Sequence, residues 1–315
     1  MTAIFKVFIQ MIVTLFMGVI LRRSRILDER TTMKLSEMLL KAILPFTIIA
    51  SSQYPLTEEF RLSIGMVAAF AAVYYLLSLL IIRQITLHSP LPDDDKKVFL
   101  TTSVFANTGF LGFPLMKAML PERGLLLAAV YNLAFNVFFY TYAANLLSGK
   151  HSRKSKVEQF KDIMLNPVSL ASVAAVALFV SPFRFPPFAL ETINLVGGMM
   201  VPMSMMILGS TLAAINLRNL FNDLTAYLAA SVRMVILPFI TLAIVLLAGK
   251  IIDIPSSAAT TIVIMTALPA GTMNVIYAER YNCSPRFCAR IVMLTLIIAL
   301  VTLPAMTEVC LYFFG

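Results

Sequence analysis

Groups that ligate metals or cross-link chains are scarce in these 315 residues, which hold three cysteines and two histidines. Cys283, Cys288 and Cys310 are too few and wrongly spaced for a zinc site or a disulfide framework. His88 and His151 have no ligand partners at metal-binding spacing, so all five read as structural or incidental and no metal or cofactor is expected. No phosphate-binding loop is present: Gly149-Lys150 and Gly249-Lys250 lack both the upstream glycine and the following Ser or Thr, which argues against ATP-driven chemistry. A charged ring or repeated carbonyl loop of the kind that builds a channel filter is also absent. Charge itself is sparse, at 13% of residues against 59% hydrophobic ones, with a mean hydropathy of +0.87. Those values exclude an ordinary soluble domain.

What is present is a succession of long apolar runs. Ten segments of about 17 to 25 residues, the length that crosses roughly 30 Å of hydrocarbon, run approximately over 3–21, 35–53, 62–83, 97–119, 124–147, 166–182, 189–214, 225–248, 257–279 and 288–314. The first follows Lys6 and ends in Arg22, Arg23 and Arg25 rather than at a small-residue cleavage site, so a retained helix is expected in place of a secretory signal. The net charge of +9 comes from Lys and Arg in short loops between apolar runs, which points to topology rather than to nucleic acid. Alternate loops hold 17 and six basic residues. This asymmetry predicts both termini on the outer side of the cytoplasmic membrane and a cytoplasmic linker over 148–165.

That basic linker divides the chain into halves of five helices, 1–147 and 166–315. An odd number of spans per half makes any similarity between them an inverted repeat. Leu44-Pro45 followed by Ser51 in the second segment matches Val201-Pro202 followed by Ser210 in the seventh. The fourth carries a polar, glycine-containing interruption, Ala106-Asn107-Thr108-Gly109 with Gly112 and Pro114; the ninth carries Leu268-Pro269-Ala270-Gly271-Thr272 with Asn274. The offsets, 157 from Pro45 to Pro202 and 162 from Asn107 to Pro269, are close enough to suggest one unit used twice. A helix broken inside a membrane leaves backbone groups that lipid cannot satisfy, so paired breaks are expected to cross and line a polar site. The expected fold is therefore an all-α membrane protein of ten transmembrane helices, two inverted five-helix repeats with helices four and nine broken and crossing.

The stretch from Phe105 through Asn107-Thr108-Gly109 to Gly112-Phe113-Pro114-Leu115 resembles the fourth-helix motif of the auxin efflux carrier family. The stretch from Ala267-Leu268-Pro269 and Gly271 to Tyr277-Ala278-Glu279-Arg280-Tyr281-Asn282 resembles its ninth-helix motif. Gly18 with Arg22, Leu44-Pro45, and Pro202 with Gly209 fit the family as well. The family includes plant auxin exporters and bacterial permeases for small carboxylates. The resemblance implies a crossover site on helices four and nine, between a scaffold subset and a transport subset, with binding roles on Asn107, Thr108, Pro269 and Gly271 and with Ser51 near them. One departure is that Ala106 stands where the plant members have proline, so the break in helix four is expected to rest on Asn107, Gly109 and Gly112.

Other polar groups leave two roles open. Asn132, Asn136 and Tyr140 recur every four residues and form one stripe, either lining a substrate path or tying helices together by hydrogen bonds; Gln10 and Thr14 form a smaller one. Lys41 and Arg233 lie within apolar segments, Arg233 deeper, about nine residues or roughly 13 Å in. Arg233 would attract an anion, stand in for a coupling cation, or bond carbonyls freed near Pro238. All sixteen acidic residues lie in loops or near helix ends; Asp93, Asp94 and Asp95 open segment four, where the helix dipole accounts for them. A crossover with no carboxylate favours an organic anion over a metal cation as substrate. The expected function is a carrier, not an enzyme, moving a small carboxylate by alternating access, with Asn107, Thr108, Gly109, Pro269, Gly271, Asn274, Ser51, Asn132, Asn136 and Arg233 as candidate substrate-binding residues. A sensor reusing a carrier fold and an ion-coupled dicarboxylate permease stand as alternatives. The bilayer is the expected surrounding, and a homodimer is left open.

Overall fold

The structure, a computed structural model, describes residues 2–53, 55, 57–149, 155–214 and 223–315. Lys150, His151, Arg153 and Lys154 of the basic linker, and Arg218, lie outside the described residues. Among the described residues thirteen helical runs follow one another: α1 (Thr2–Arg23), α2 (Glu29–Gln53), α3 (Glu58–Leu87), α4 (Asp93–Val104), α5 (108–119), α6 (Gly124–Ser148), α7 (Lys156–Met164), α8 (Pro167–Val180), α9 (Pro187–Ala214), α10 (Leu224–Ala248), α11 (Ser256–Ala267), α12 (Thr272–Arg280) and α13 (Pro285–Phe314). Among the described residues the one β feature is an isolated bridge.

Helix starts are set by short polar side chains that accept from first-turn N–H groups. Asp28 caps α2 through Thr31 N, Thr57 caps α3 through Phe60 N, and Asn166 caps α8 through Val168 N and Ser169 N. Ser155 and Glu158 close a capping box on α7, so the second half of the expected linker is a short amphipathic helix, bent 64° from α8. At α4, Asp93 and Asp94 pair with Lys96 and Lys97 one turn on.

Among the described residues six helices, α2, α3, α6, α9, α10 and α13, are long and apolar enough to cross a membrane, and there are seven if the bent pair α7–α8 counts as one span. The ten segments read from the sequence all fall on helix, but three of them are interrupted: α4 gives way to α5, α11 to α12, and α9 has a two-residue turn at Gly198 and Met199. Outward-facing Leu76, Leu80 and Ile81 on α3 and Phe239, Ile240 and Ile244 on α10 are exposed, as expected where lipid is the solvent.

Three of the helices widen to π geometry at one spacing relative to proline. The π segments Leu39–Ile43, Thr108–Gly112 and Val232–Ile236 each end two residues before a proline, Pro45, Pro114 and Pro238. Proline has no N–H to give the carbonyl four residues back, and its ring crowds that carbonyl, so the preceding turn opens by one residue. Widening turns Lys41 and Arg233, both inside such segments, to different fates. Lys41 is exposed and pairs with Glu37, while Arg233 is fully buried.

Packing divides the helices into two groups that mix both halves of the chain. α1 lies against α9, and α2 against α8 and α9; α3, α4, α5, α6, α10, α11, α12 and α13 form the other group, joined to the first chiefly through α6 against α8. The α1–α9 contact is made at backbone distance, because a Cβ on Gly18 would strike the Met206 carbonyl and one on Gly209 the Leu15 carbonyl. Small residues allow this close approach in membranes, where packing replaces the hydrophobic effect between helices.

Candidate functional site

The broken pairs α4–α5 and α11–α12 meet at their interruptions. Phe105, Ala106 and Asn107 follow α4 outside the helix, and Pro269, Ala270 and Gly271 follow α11; Ala106 and Ala270 form the antiparallel bridge. Asn107 N donates to Pro269 O at 2.8 Å, and Gly271 N donates to Phe105 O at 2.9 Å. Each break thus satisfies polar backbone groups of the other, which lipid could not do. Ala106 and Ala270, which face each other in the bridge, are 164 residues apart in the chain. The fourth-helix break lies upstream of its expected place: Gly109 and Gly112 belong to the resumed helix α5, not to the gap.

Glycine is required at 271 for closeness. A Cβ there would stand 2.7 Å from Ala106 O and 3.1 Å from Ala106 C, inside contact distance of a backbone that is itself held by the bridge. Phe105 fixes the other strand, its ring stacked on Tyr75 at 5.5 Å and met edge-on by Phe135 and Phe139. Thr295 of α13 accepts from Ala270 N at 3.1 Å.

Side chains complete the crossing. Asn107 caps α5, its Oδ1 accepting from Phe110 N at 3.2 Å, and Thr108 donates to Asn132 Oδ1 of α6 at 2.7 Å. Asn274 Nδ2 donates to Gly271 O at 2.9 Å and across the crossing to Phe105 O at 3.1 Å. Asn107 and Asn274 are 3% and 0% exposed, yet among the described residues Asn107 Nδ2 and Asn274 Oδ1 have no hydrogen-bond partner. Buried polar atoms are rarely left so, since each costs about 1–3 kcal/mol. They sit at the first turns of α5 and α12, where the helix dipole presents partial positive charge; Thr108 N, Phe110 N and Asn274 N there are already bonded, to Ala106 O, Asn107 Oδ1 and Gly271 O.

Arg233 lies at the opposite ends of the same broken helices. Its Nε donates to Leu268 O at 2.7 Å and Nη2 to Thr266 O at 2.9 Å; Nη1 reaches Val104 O at 3.1 Å, Ser103 O at 3.4 Å and the Tyr74 hydroxyl at 2.9 Å. The carbonyls are the last ones of α4 and α11. Carbonyl bonding was one of its expected roles, but the carbonyls come from the crossing rather than from the neighbourhood of Pro238.

The remaining candidates are distributed more widely. Asn136 Nδ2 donates to Ser169 of α8 at 2.7 Å, and Tyr140 accepts from Asn166 at 3.2 Å, so of the stripe on α6 only Asn132 reaches the crossing and the other two tie α6 to the neighbouring group. Ser51 is buried and donates to Ile48 O of its own helix; its turn packs on α8 and α6. Thr14 likewise bonds the Gln10 carbonyl. Sequence reading missed Tyr74, Phe105 and Thr295; a threonine in the middle of an apolar helix was the available signal for the last. Cys283, in the turn before α13, has its thiol pushed up to about 12 by burial, which keeps it protonated and unreactive.

A family described as "Membrane transport protein" matches residues 1–307. An uncharacterized transporter of the archaeon Methanocaldococcus jannaschii is 23% identical over 210 residues, an alignment covering 65% of this chain and 65% of that relative.

Proposed function

Since the chain belongs to the auxin efflux carrier family of membrane transport proteins, we propose that it is a carrier of a small organic anion, a carboxylate, across the cytoplasmic membrane. The observation that carries the reading is the bridged pair of broken helices with a buried, unpartnered amide donor, Asn107 Nδ2, at the restart of α5. A carboxylate at this place would accept from Asn107 Nδ2 and from first-turn N–H groups of α5 or α12, the arrangement by which half-helix N-termini receive anionic substrates. Thr108, held by Asn132, and Gly109, with no side chain, shape the approach; Pro269 and Gly271 hold the crossing; Arg233 acts on the substrate through the broken helices rather than by touching it.

In this proposal the chain crosses the membrane ten times, α4–α5 and α11–α12 each counting as one broken span, and the halves 1–147 and 166–315 are inverted repeats with both termini outside. The contact pattern supports alternating access, because α1, α2, α8 and α9 form one group and the crossing belongs wholly to the other. Between them lies an apolar crevice lined by Met11 and Leu15 of α1, Leu208 of α9, Leu111 of α5 and Leu303 of α13. A surface without interlocking charges is suited to sliding of one group against the other.

Uptake of radiolabelled carboxylates into proteoliposomes tests the reading. Saturable flux is expected for the native chain, and Asn107→Ala should lower flux by roughly 10- to 100-fold, the equivalent of a hydrogen bond to a charged group worth about 1.5–3 kcal/mol. An Asn107→Ala protein that inserts normally and transports at the native rate removes the substrate from the crossing; no saturable flux of any carboxylate removes the carrier.

A further inference from the structure

Arg233 is a fully buried cation with no carboxylate partner among the described residues. A charge in that position is tolerated only if the surroundings supply an equal and opposite one. Here they supply it as backbone. The last carbonyls of α4 and α11 converge on the guanidinium, and each helix C-terminus carries about half an elementary negative charge. Two such ends balance one arginine.

In transporters built on broken helices, those same carbonyls and C-terminal ends are what coordinate a coupling sodium or proton. We propose that Arg233 is a tethered cation that occupies the coupling-ion position of the crossing, so that the anion site forms without sodium. Arginine suits the position because its planar fork reaches two helix ends at once, which an ammonium on a flexible stem cannot do. The π segment Val232–Ile236 widens the helix where Arg233 leaves it, and Tyr74 of α3 takes one further donor. Arg233 is thus a positioning residue: it holds the C-terminal ends of α4 and α11 together. The sodium-independence of transport rests on the carrier reading above; the holding of the helix ends does not.

The test begins without substrate. Purified protein is unfolded thermally in sodium, potassium or choline chloride and in choline chloride with a few millimolar guanidinium. The native protein should show one melting temperature in all four. Arg233→Met should melt at least 5 °C lower in choline and recover part of the loss in sodium or guanidinium, since a free cation can then reach the carbonyls. Should Arg233→Met fail to fold, Arg233→Lys serves in its place, keeping the charge but engaging only one helix end, with the same recovery by small cations. A native protein that is stabilised by sodium, or a variant whose melting is insensitive to every cation, overturns the proposal. In proteoliposomes, flux should be unchanged when sodium is replaced by choline on both sides, and a tenfold fall would also overturn it. Cation-rescued melting together with absence of any carboxylate flux would retain the role of Arg233 and remove the carrier reading instead.

Discussion

Among single residues, Gly271 carries the sharpest geometric demand. Its missing Cβ would sit 2.7 Å from the Ala106 carbonyl oxygen, and neither backbone can retreat without breaking the two hydrogen bonds of the bridge. Gly271→Ala should therefore destabilise the protein by about 1–3 kcal/mol, the usual cost of forcing a methyl group into a packed site. Gly109 provides the internal control: the nearest atom to an added Cβ is Leu40 Cδ2 at 3.8 Å, ordinary contact. Gly109→Ala should be neutral or stabilising by up to about 1 kcal/mol through helix propensity. Denaturant or thermal unfolding of the two variants side by side checks this, and equal effects would mean that closeness at the bridge is not what selects glycine. Both glycines are visible in the sequence as interruptions of apolar runs, but their different duties are not. Which glycine faces backbone and which faces space depends on the partner strand, and a backbone partner leaves no residue pattern to read.

Among elements, the same distinction decides what was legible. Helix positions followed from hydropathy and polar caps such as Thr57 and Asn166, because both act within one stretch of chain. The existence of two breaks followed from Pro269, Gly271 and Asn107. The register of the breaks did not, since Ala106 pairs with Ala270 through backbone alone, and neither did the destination of Arg233, whose partners are carbonyls that any residue supplies. The α1–α9 pair shows a third case, where Gly18 and Gly209 stood in the sequence as family-like positions while their reciprocal contact was invisible. Each abuts the other helix's backbone, so either substitution alone should push the helices apart. Gly18→Ala and Gly209→Ala are each expected to cost about 1–3 kcal/mol, and the double variant less than the total of the two, because the first has already made room for the second. Strict additivity in a double-mutant cycle of melting temperatures would show two independent contacts instead of one shared seam.

For the whole molecule, the charge balance of the crossing sets what it can accept. The C-termini of α4 and α11 together amount to about one negative charge and Arg233 supplies one positive charge, which leaves the restarting ends of α5 and α12 with about half a positive charge each. Among the described residues no acidic or further basic side chain joins the hydrogen bonds of the crossing. On the proposed carrier reading, one carboxylate balances the site, and a second charge on the same substrate would be buried without a counter-charge, at a cost of several kcal/mol. On this ground a monoanion is preferred over the dicarboxylate of the alternative permease reading. Matched pairs isolate the effect of charge from that of size: each dicarboxylate is compared with its own monoamide in thermal-shift and competition assays on the purified protein. The monoamide should bind at least about 100-fold more tightly, the equivalent of roughly 3 kcal/mol, and raising pH through the second carboxyl's ionisation should weaken the diacid while leaving the monoamide unaffected. A diacid that binds as well as its monoamide when fully ionised would mean that a second positive group reaches the substrate, and would return Arg233 from positioning the helices to meeting the ligand.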